Sequence, residues 1–191
     1  MFQAILVSMI LINCCAQNDK HLELSFGPHY SSYHLYWNDE AARNQWSLGG
    51  EVTVHNIIPN IGLKLRGSKI EYTISSDYTY VSEYIPLTLC TSFNIIPFLK
   101  LKWLRLSLET GFGMYFWKAL PMEMIAGEDK KGRDIGFVGG FTLQVKPFKF
   151  IALEYVTRYN YIASADIYKY GFEDKDEKLW ENGIGLKIII P

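Results

Sequence analysis

The sequence predicts an eight-stranded, antiparallel, up-and-down β-barrel that crosses a membrane. The stretch Trp103–Trp117, WLRLSLETGFGMYFW, places Leu104, Leu106, Leu108, Thr110, Phe112, Met114 and Phe116 on one face. Arg105, Ser107, Glu109, Gly111 and Gly113 fall on the other. Strict period-2 alternation is a strand signal, because successive side chains point to opposite faces. A strand in a globular core runs about 5 to 6 residues, whereas one tilted across a bilayer needs roughly 9 to 11. An apolar face opposite a face of charges and glycines suits lipid outside and a crowded polar lumen inside. Seven further alternating segments bring the count to eight; the first, fifth and seventh connections are long, the second and sixth short, the fourth intermediate, and the third short between strands that run past the apolar band.

In chain order, Leu22–Tyr30 alternates Leu22, Leu24, Phe26 and Pro28 against Glu23, Ser25, Gly27 and His29. Ser31–Gln45 has no clear period and reads as a long loop. Trp46–His55 sets Trp46, Leu48, Val52 and Val54 against Ser47, Gly49, Glu51, Thr53 and His55, and Asn56–Asn60, with Pro59, is a tight turn. Ile61–Ile74 opposes Ile61, Leu63 and Leu65 to Gly62, Lys64, Arg66 and Ser68. After a small turn at Ser75–Asp77, Tyr78–Phe93 groups Val81, Ile85, Leu87, Leu89 and Phe93. Pro86 lacks an amide donor and predicts a bulge or a local break in pairing there.

Asn94–Lys102 connects to the long strand described first, and Lys118–Arg133 reads as an exposed loop. Ile135–Val145 opposes Ile135, Phe137, Phe141, Leu143 and Val145 to Gly136, Gly140, Thr142 and Gln144, and a turn at Lys146–Pro147 follows. Ile151–Tyr161 sets Ile151, Leu153, Tyr155, Tyr159 and Tyr161 against Ala152, Glu154, Val156, Arg158 and Asn160. Ile162–Lys178 is a long loop. Leu179–Ile190 opposes Trp180, Ile184, Leu186, Ile188 and Ile190 to Glu181, Gly183, Gly185 and Lys187. Transmembrane barrels have an even strand number, short periplasmic turns and longer external loops, and a soluble sandwich has no reason to show that asymmetry.

The first 16 residues are apolar and uncharged and read as a secretory signal peptide, leaving 17–191 as one outer-membrane barrel domain. Lipidation at Cys14 or Cys15, or a buried first strand, are the alternatives. Cys90 then stands alone, which gives neither a disulfide nor a zinc spacing. No run reaches the roughly 18 apolar residues of a transmembrane helix. With 19 basic and 20 acidic residues, nothing in the charge suggests a nucleic-acid partner.

Pooling the inward positions gives Glu23, Glu51, Glu109, Glu154 and Glu181 against Lys64, Arg66, Arg105, Arg158 and Lys187. An eight-stranded barrel is just wide enough for side chains to fill, so these five acids and five bases must interdigitate. The expectation is a salt-bridge plug, with a narrow charged pore or proton path as the alternative. Lumen glycines would make room for the long Arg and Lys side chains.

Candidate chemistry is sparse, and no metal cluster or cofactor motif is apparent. His29-Tyr30-Ser31 is similar to the histidine and serine spacing of lipid A deacylase barrels, where His29 would take a proton from Ser31. The plainer reading is a polar strand end near the rim; His21, His34 and His55 read as rim or loop residues. Tyr84-Ile85-Pro86-Leu87 and Glu109-Thr110-Gly111-Phe112-Gly113, with Leu153-Glu154-Tyr155 and Gly183-Ile184-Gly185-Leu186-Lys187, carry a wider resemblance. On these the chain resembles the porin-T-like outer-membrane β-barrel family of Gram-negative Bacteroidota, small barrels of OmpA/OmpX type. The resemblance implies a bacterial outer-membrane barrel without catalysis and assigns no binding residue.

The sequence thus predicts a non-enzymatic barrel with a structural, surface-interaction or accessory role. Its partners would be outer-membrane lipid and an extracellular or periplasmic protein. A lipid-modifying hydrolase built on His29 and Ser31 is one alternative. A lipocalin-like carrier is another, although such a carrier needs an apolar interior and ten inward charges oppose it.

Overall fold

The computed structural model describes residues 22–37, 40–41, 45–71, 79–99, 101–121, 130–163 and 176–191. The proposed leader, Cys14, Cys15, His21 and the turn at Ser75–Asp77 lie outside the described residues, as do residues 122–129 and 164–175 of the expected loops. Ten strand segments are present: β1 (Glu23–Trp37), β2 (Glu40–Ala41), β3 (Gln45–Ile58), β4 (Ile61–Ser68) and β5 (Ile70–Glu71). They continue with β6 (Thr79–Asn94), β7 (Leu104–Pro121), β8 (Lys130–Phe148), β9 (Ile151–Ala163) and β10 (Glu177–Ile190). All pairings are antiparallel, each long strand pairs with its sequence neighbour, and β10 pairs β1. β5 continues the path of β4 along β6, so the wall is a closed ring of eight staves. The protein is an eight-stranded transmembrane β-barrel.

The alternation read from the sequence sets the two faces. Phe26, Leu48, Leu65, Leu89, Phe112, Phe137, Leu153 and Ile184 are exposed, while their sequence neighbours point inward. Apolar residues on a convex outer wall are the lipid-facing surface of such a barrel. Aromatics gather at its two ends. Trp103, Phe148 and Phe150 lie at the end of the tight turns, and Tyr30, Trp46, Tyr159 and Trp180 toward the other. Tyr30 stacks on Trp46 with ring centroids 5.1 Å apart, and Tyr159 meets Trp180 edge-on at 5.9 Å. Along β10, Trp180 to Ile190 spans roughly 25 Å at ~3.4 Å per residue and ~40° of tilt, the height of an apolar band.

Several strands run further than the sequence suggests. β1 continues through Trp37, so Ser31–Gln45 is wall for much of its length rather than loop. β7 and β8 reach Pro121 and Lys130, which makes wall of half of the expected loop Lys118–Arg133. Polar residues are tolerated there because the wall rises past the apolar band into water. The turn expected at Lys146–Pro147 falls instead at Lys149–Phe150, after a register shift between Val145 and Phe148, and Lys146 continues the inward parity of Thr142 and Gln144.

Pro86 pairs in register with Tyr115 of β7, and the bulge of β6 lies instead between Val81 and Glu83. Its effect is on the other side. The β4–β6 ladder stops at Gly67–Leu87 and resumes, unslipped, as β5–β6 at Ile70–Tyr84. The missing amide donor therefore costs a local gap and no change of register. At the turn Pro59–Asn60, Asn60 has φ 66°, and a proline followed by a positive φ fits a type II turn.

The glycine at 111 answers to the backbone across from it. A Cβ there would meet the Leu89 carbonyl oxygen and stand 2.6 Å from Cys90 Cα. Gly139 faces outward with nothing within 4 Å. Gly111→Val is expected to lower the unfolding midpoint in urea with lipid vesicles by about 1–3 kcal/mol or more, as for overpacking. Gly139→Ala should leave it within about 0.5 kcal/mol. A Gly111→Val barrel as stable as the wild type would show that the wall relaxes freely there.

Candidate functional site

The lumen is filled in three layers. Toward the tight-turn end, Glu23 accepts hydrogen bonds from Arg105 Nη1 at 3.2 Å and Lys146 Nζ at 2.6 Å. His55 Nε2 lies 4.0 Å from the same carboxylate and 3.0 Å from Ser25 Oγ. In the far half, Tyr33, Tyr84, Tyr115, Trp117, Ile162 and Leu179 are buried. Tyr84 donates to Glu177 at 2.7 Å, and Tyr115 to Asn160 at 2.7 Å. The charged cluster lies between.

Lys64 on β4 stands at its centre. Its Nζ lies 2.7 Å from Glu109, 3.1 Å from Glu154 and 3.2 Å from Glu51. Two residues on, Arg66 reaches Glu51 at 2.7 Å and Glu181 at 2.5 Å with separate nitrogens. Arg158 on β9 pairs Glu109 through Nε at 2.7 Å and Nη2 at 2.5 Å. Lys187 on β10 lies 2.8 Å from Glu51 and 3.8 Å from Glu154. Four acids thus meet four bases, all buried. Thr142 donates to Glu109 and Thr53 to Glu51, so hydroxyls occupy further acceptor positions. The neighbouring interior cavity, between Tyr33, Arg66, Thr88, Asn160 and Glu181, is about 10 Å³, roughly the least that holds one water.

The ten inward charges therefore divide. Eight lie in the central cluster, and Glu23 and Arg105 form a separate pair near the tight turns. Lys146 belongs with that pair; it continues the inward parity of Gln144 along β8, beyond the point where the sequence reading placed a turn. Asp134 and Glu177 are also buried; each continues the inward parity of the strand beyond the point where the sequence reading stopped. Glycines make room as expected at 140, where a Cβ would stand 2.8 Å from Arg158 Cγ, and at 183, 3.1 Å from Arg66. Others serve rings instead: Gly113 and Gly136 accommodate Tyr115, and Gly49 accommodates His29.

The structure does not assemble His29 with Ser31. Both are buried within the wall rather than set at the rim. Ser31 Oγ donates to Glu181 at 3.1 Å and accepts from Arg66 at 2.7 Å, while neither ring nitrogen of His29 has a hydrogen-bond partner among the described residues. A serine held by an ion pair and not hydrogen-bonded to the histidine is not an activated nucleophile. His55 is likewise buried, whereas His34 is half-buried along β1. Among the described residues no group of three His, Cys, Asp or Glu is placed to hold a metal ion.

The fold has solved counterparts. The attachment invasion locus protein Ail of Yersinia pestis superposes with a TM-score of 0.60 at 13% identity, covering 89% of this chain and 99% of that one. Neisserial surface protein A superposes at 0.65 and 11% identity, covering 86% and 96%. A major outer membrane protein from Thermus thermophilus gives 0.61 and 9%, covering 89% and 100%. The fold is that of small outer-membrane β-barrels. No protein-family model and no curated protein matches the chain.

Charge balance at the centre predicts an asymmetric response. Removing one partner of a buried pair costs about 3 to 5 kcal/mol because the other charge is left uncompensated. Lys64→Met or Arg158→Ala should therefore lower the unfolding midpoint strongly, whereas Lys149→Ala, at an exposed turn, should not. The double change Arg158→Met with Glu109→Leu should recover much of the loss. Equal midpoints for Lys64→Met and Lys149→Ala would mean that the cluster is hydrated.

Proposed function

We propose that this chain is a non-enzymatic barrel of a bacterial outer membrane whose lumen is closed by its own charges. Its role is then exerted at its surfaces, as a structural, surface-interaction or accessory protein. The observation that carries this is the central cluster: Lys64, Arg66, Arg158 and Lys187 interlock with Glu51, Glu109, Glu154 and Glu181 across the lumen and leave about one water's worth of space. That filling favours a closed lumen over a pore or a ligand carrier. The resemblance to porin-T-like barrels of Bacteroidota and the superposition on small outer-membrane barrels support the same placement, and the apolar first 16 residues support export through a cleaved leader.

In this reading the tight turns at Pro59–Asn60 and Lys149–Phe150 face the periplasm, and the connections holding residues 122–129 and 164–175 face outward. Those outward segments would meet an extracellular protein partner. A cysteine placed at position 127 or 174 should be labelled by an impermeant maleimide on intact cells, while one at Asn60 should be labelled only after lysis. The reverse pattern would invert the orientation. For the plug, planar-bilayer recordings of the purified wild-type protein should show no reproducible unitary conductance. Stable single-channel steps would mean an open, water-filled interior.

A further inference from the structure

The outer wall carries a polar notch at the head of an apolar trough. Along the outward face of β10 stand Lys178, Trp180, Asn182, Ile184 and Leu186. Asn182 lies deeper than the Trp180 ring, within the span of the apolar band. A polar group facing hydrocarbon is unfavourable unless something satisfies it. One half of its amide is satisfied by the protein: Tyr155 Oη donates to Asn182 Oδ1 at 3.3 Å. The amide nitrogen, which carries two donors, has no hydrogen bond among the described residues. In register on either side are the half-buried Ser32 of β1 and Thr157 of β9. Three polar residues on three adjacent strands therefore interrupt the lipid-facing surface at one height.

Immediately below, the outward residue of β1 is the short Pro28, and a trough of about 510 Å³ opens. Tyr155, Ile184, Leu186, Leu153 and Leu48 line it, and Tyr155 is shared with the notch. Above Trp180, Lys178 is exposed on the same outward face. From the rim downward the strip thus presents a cation, an aromatic ring, amide donors and an apolar channel.

We infer that this strip binds one anionic lipid of the outer leaflet: a phosphorylated glycolipid with amide-linked acyl chains. Its phosphate would meet Lys178, its acyl-amide or hydroxyl oxygens the Asn182 nitrogen, and one acyl chain the trough. A cation recognises the phosphate, and a donor in a region free of water selects a lipid with an acceptor at that depth. A second barrel would fill the trough but would bring no phosphate to Lys178. The inference rests on the outer-membrane placement and orientation proposed above.

The test uses the full mature chain in detergent micelles, incubated with equal amounts of diphosphoryl lipid A and dioleoyl-phosphatidylglycerol and examined by native mass spectrometry. The expected result is a lipid A adduct favoured about tenfold, a difference of about 1.4 kcal/mol. Asn182→Leu should bring the two lipids toward parity and Lys178→Gln should weaken lipid A retention. Thr110→Leu, which removes an outward polar residue on β7, should leave the preference unchanged. Equal adducts in the wild type, an unaltered preference in Asn182→Leu, or a dimer mass in place of lipid would each overturn the inference. A chain that stays soluble and monomeric without detergent would instead sink the membrane reading on which it stands.

Discussion

Eight strands close a ring whose interior is only as wide as the side chains that line it, and charges inside such a ring must cancel one another. That constraint organises the molecule. Lys64 contacts three carboxylates from three different strands, so β3, β7 and β9 are tied across the lumen as well as around the wall. Arg66 adds β10 through Glu181. The backbone ladder fixes which residues share a height, and the cluster then fixes how the opposite sides of the ring stand relative to one another. A buried ion pair is weak evidence of net stability, but breaking one by removing a single partner is costly because a charge is left uncompensated.

The layering follows from the same geometry. Where charges meet, small residues must stand beside them, and Gly140 and Gly183 do so next to Arg158 and Arg66. Above the cluster the lumen is filled by rings, and Gly113 and Gly136 now serve Tyr115 instead. The barrel thus changes its filling from ionic to aromatic along its axis while the outer wall stays mainly apolar. The outward and inward codes are independent because alternate residues of each strand answer to different solvents.

Much of this was legible in the sequence because period 2 is a strong signal where one face is lipid. The strand count and the two faces follow from it. What escaped follows from physics that alternation does not carry. Parity continues beyond Leu179 to Glu177 and before Ile135 to Asp134, but the outward partners there are polar, so the pattern loses contrast once the wall leaves the bilayer. Lys146 continues the inward parity of Gln144, but it lies one step past the point where the apolar outward positions of that strand stop. The division of the charges into a cluster of eight and a separate Glu23–Arg105 pair depends on height along the barrel, and height requires the register. His29 and Ser31 are neighbours on one face, yet their separation into an unpartnered ring and an ion-paired hydroxyl was set by Arg66, 35 residues away along the chain from Ser31.

The gap at Pro86 has a mechanical meaning. The β1–β10 seam has a like gap, where Gly27 and Pro28 go unpaired between Phe26–Ile188 and His29–Gly185; here Ser68 and Pro86 face each other without pairing, and the small interior cavity lies against both. A cylinder with such soft joints does not breathe evenly. Local opening concentrates where backbone bonds are fewest and packing is loosest, so the β4–β6 seam is among the places where the wall yields first under tension in the bilayer. Because the register is unchanged across the gap, the joint closes again to the same alignment, and the central charges return to the same partners.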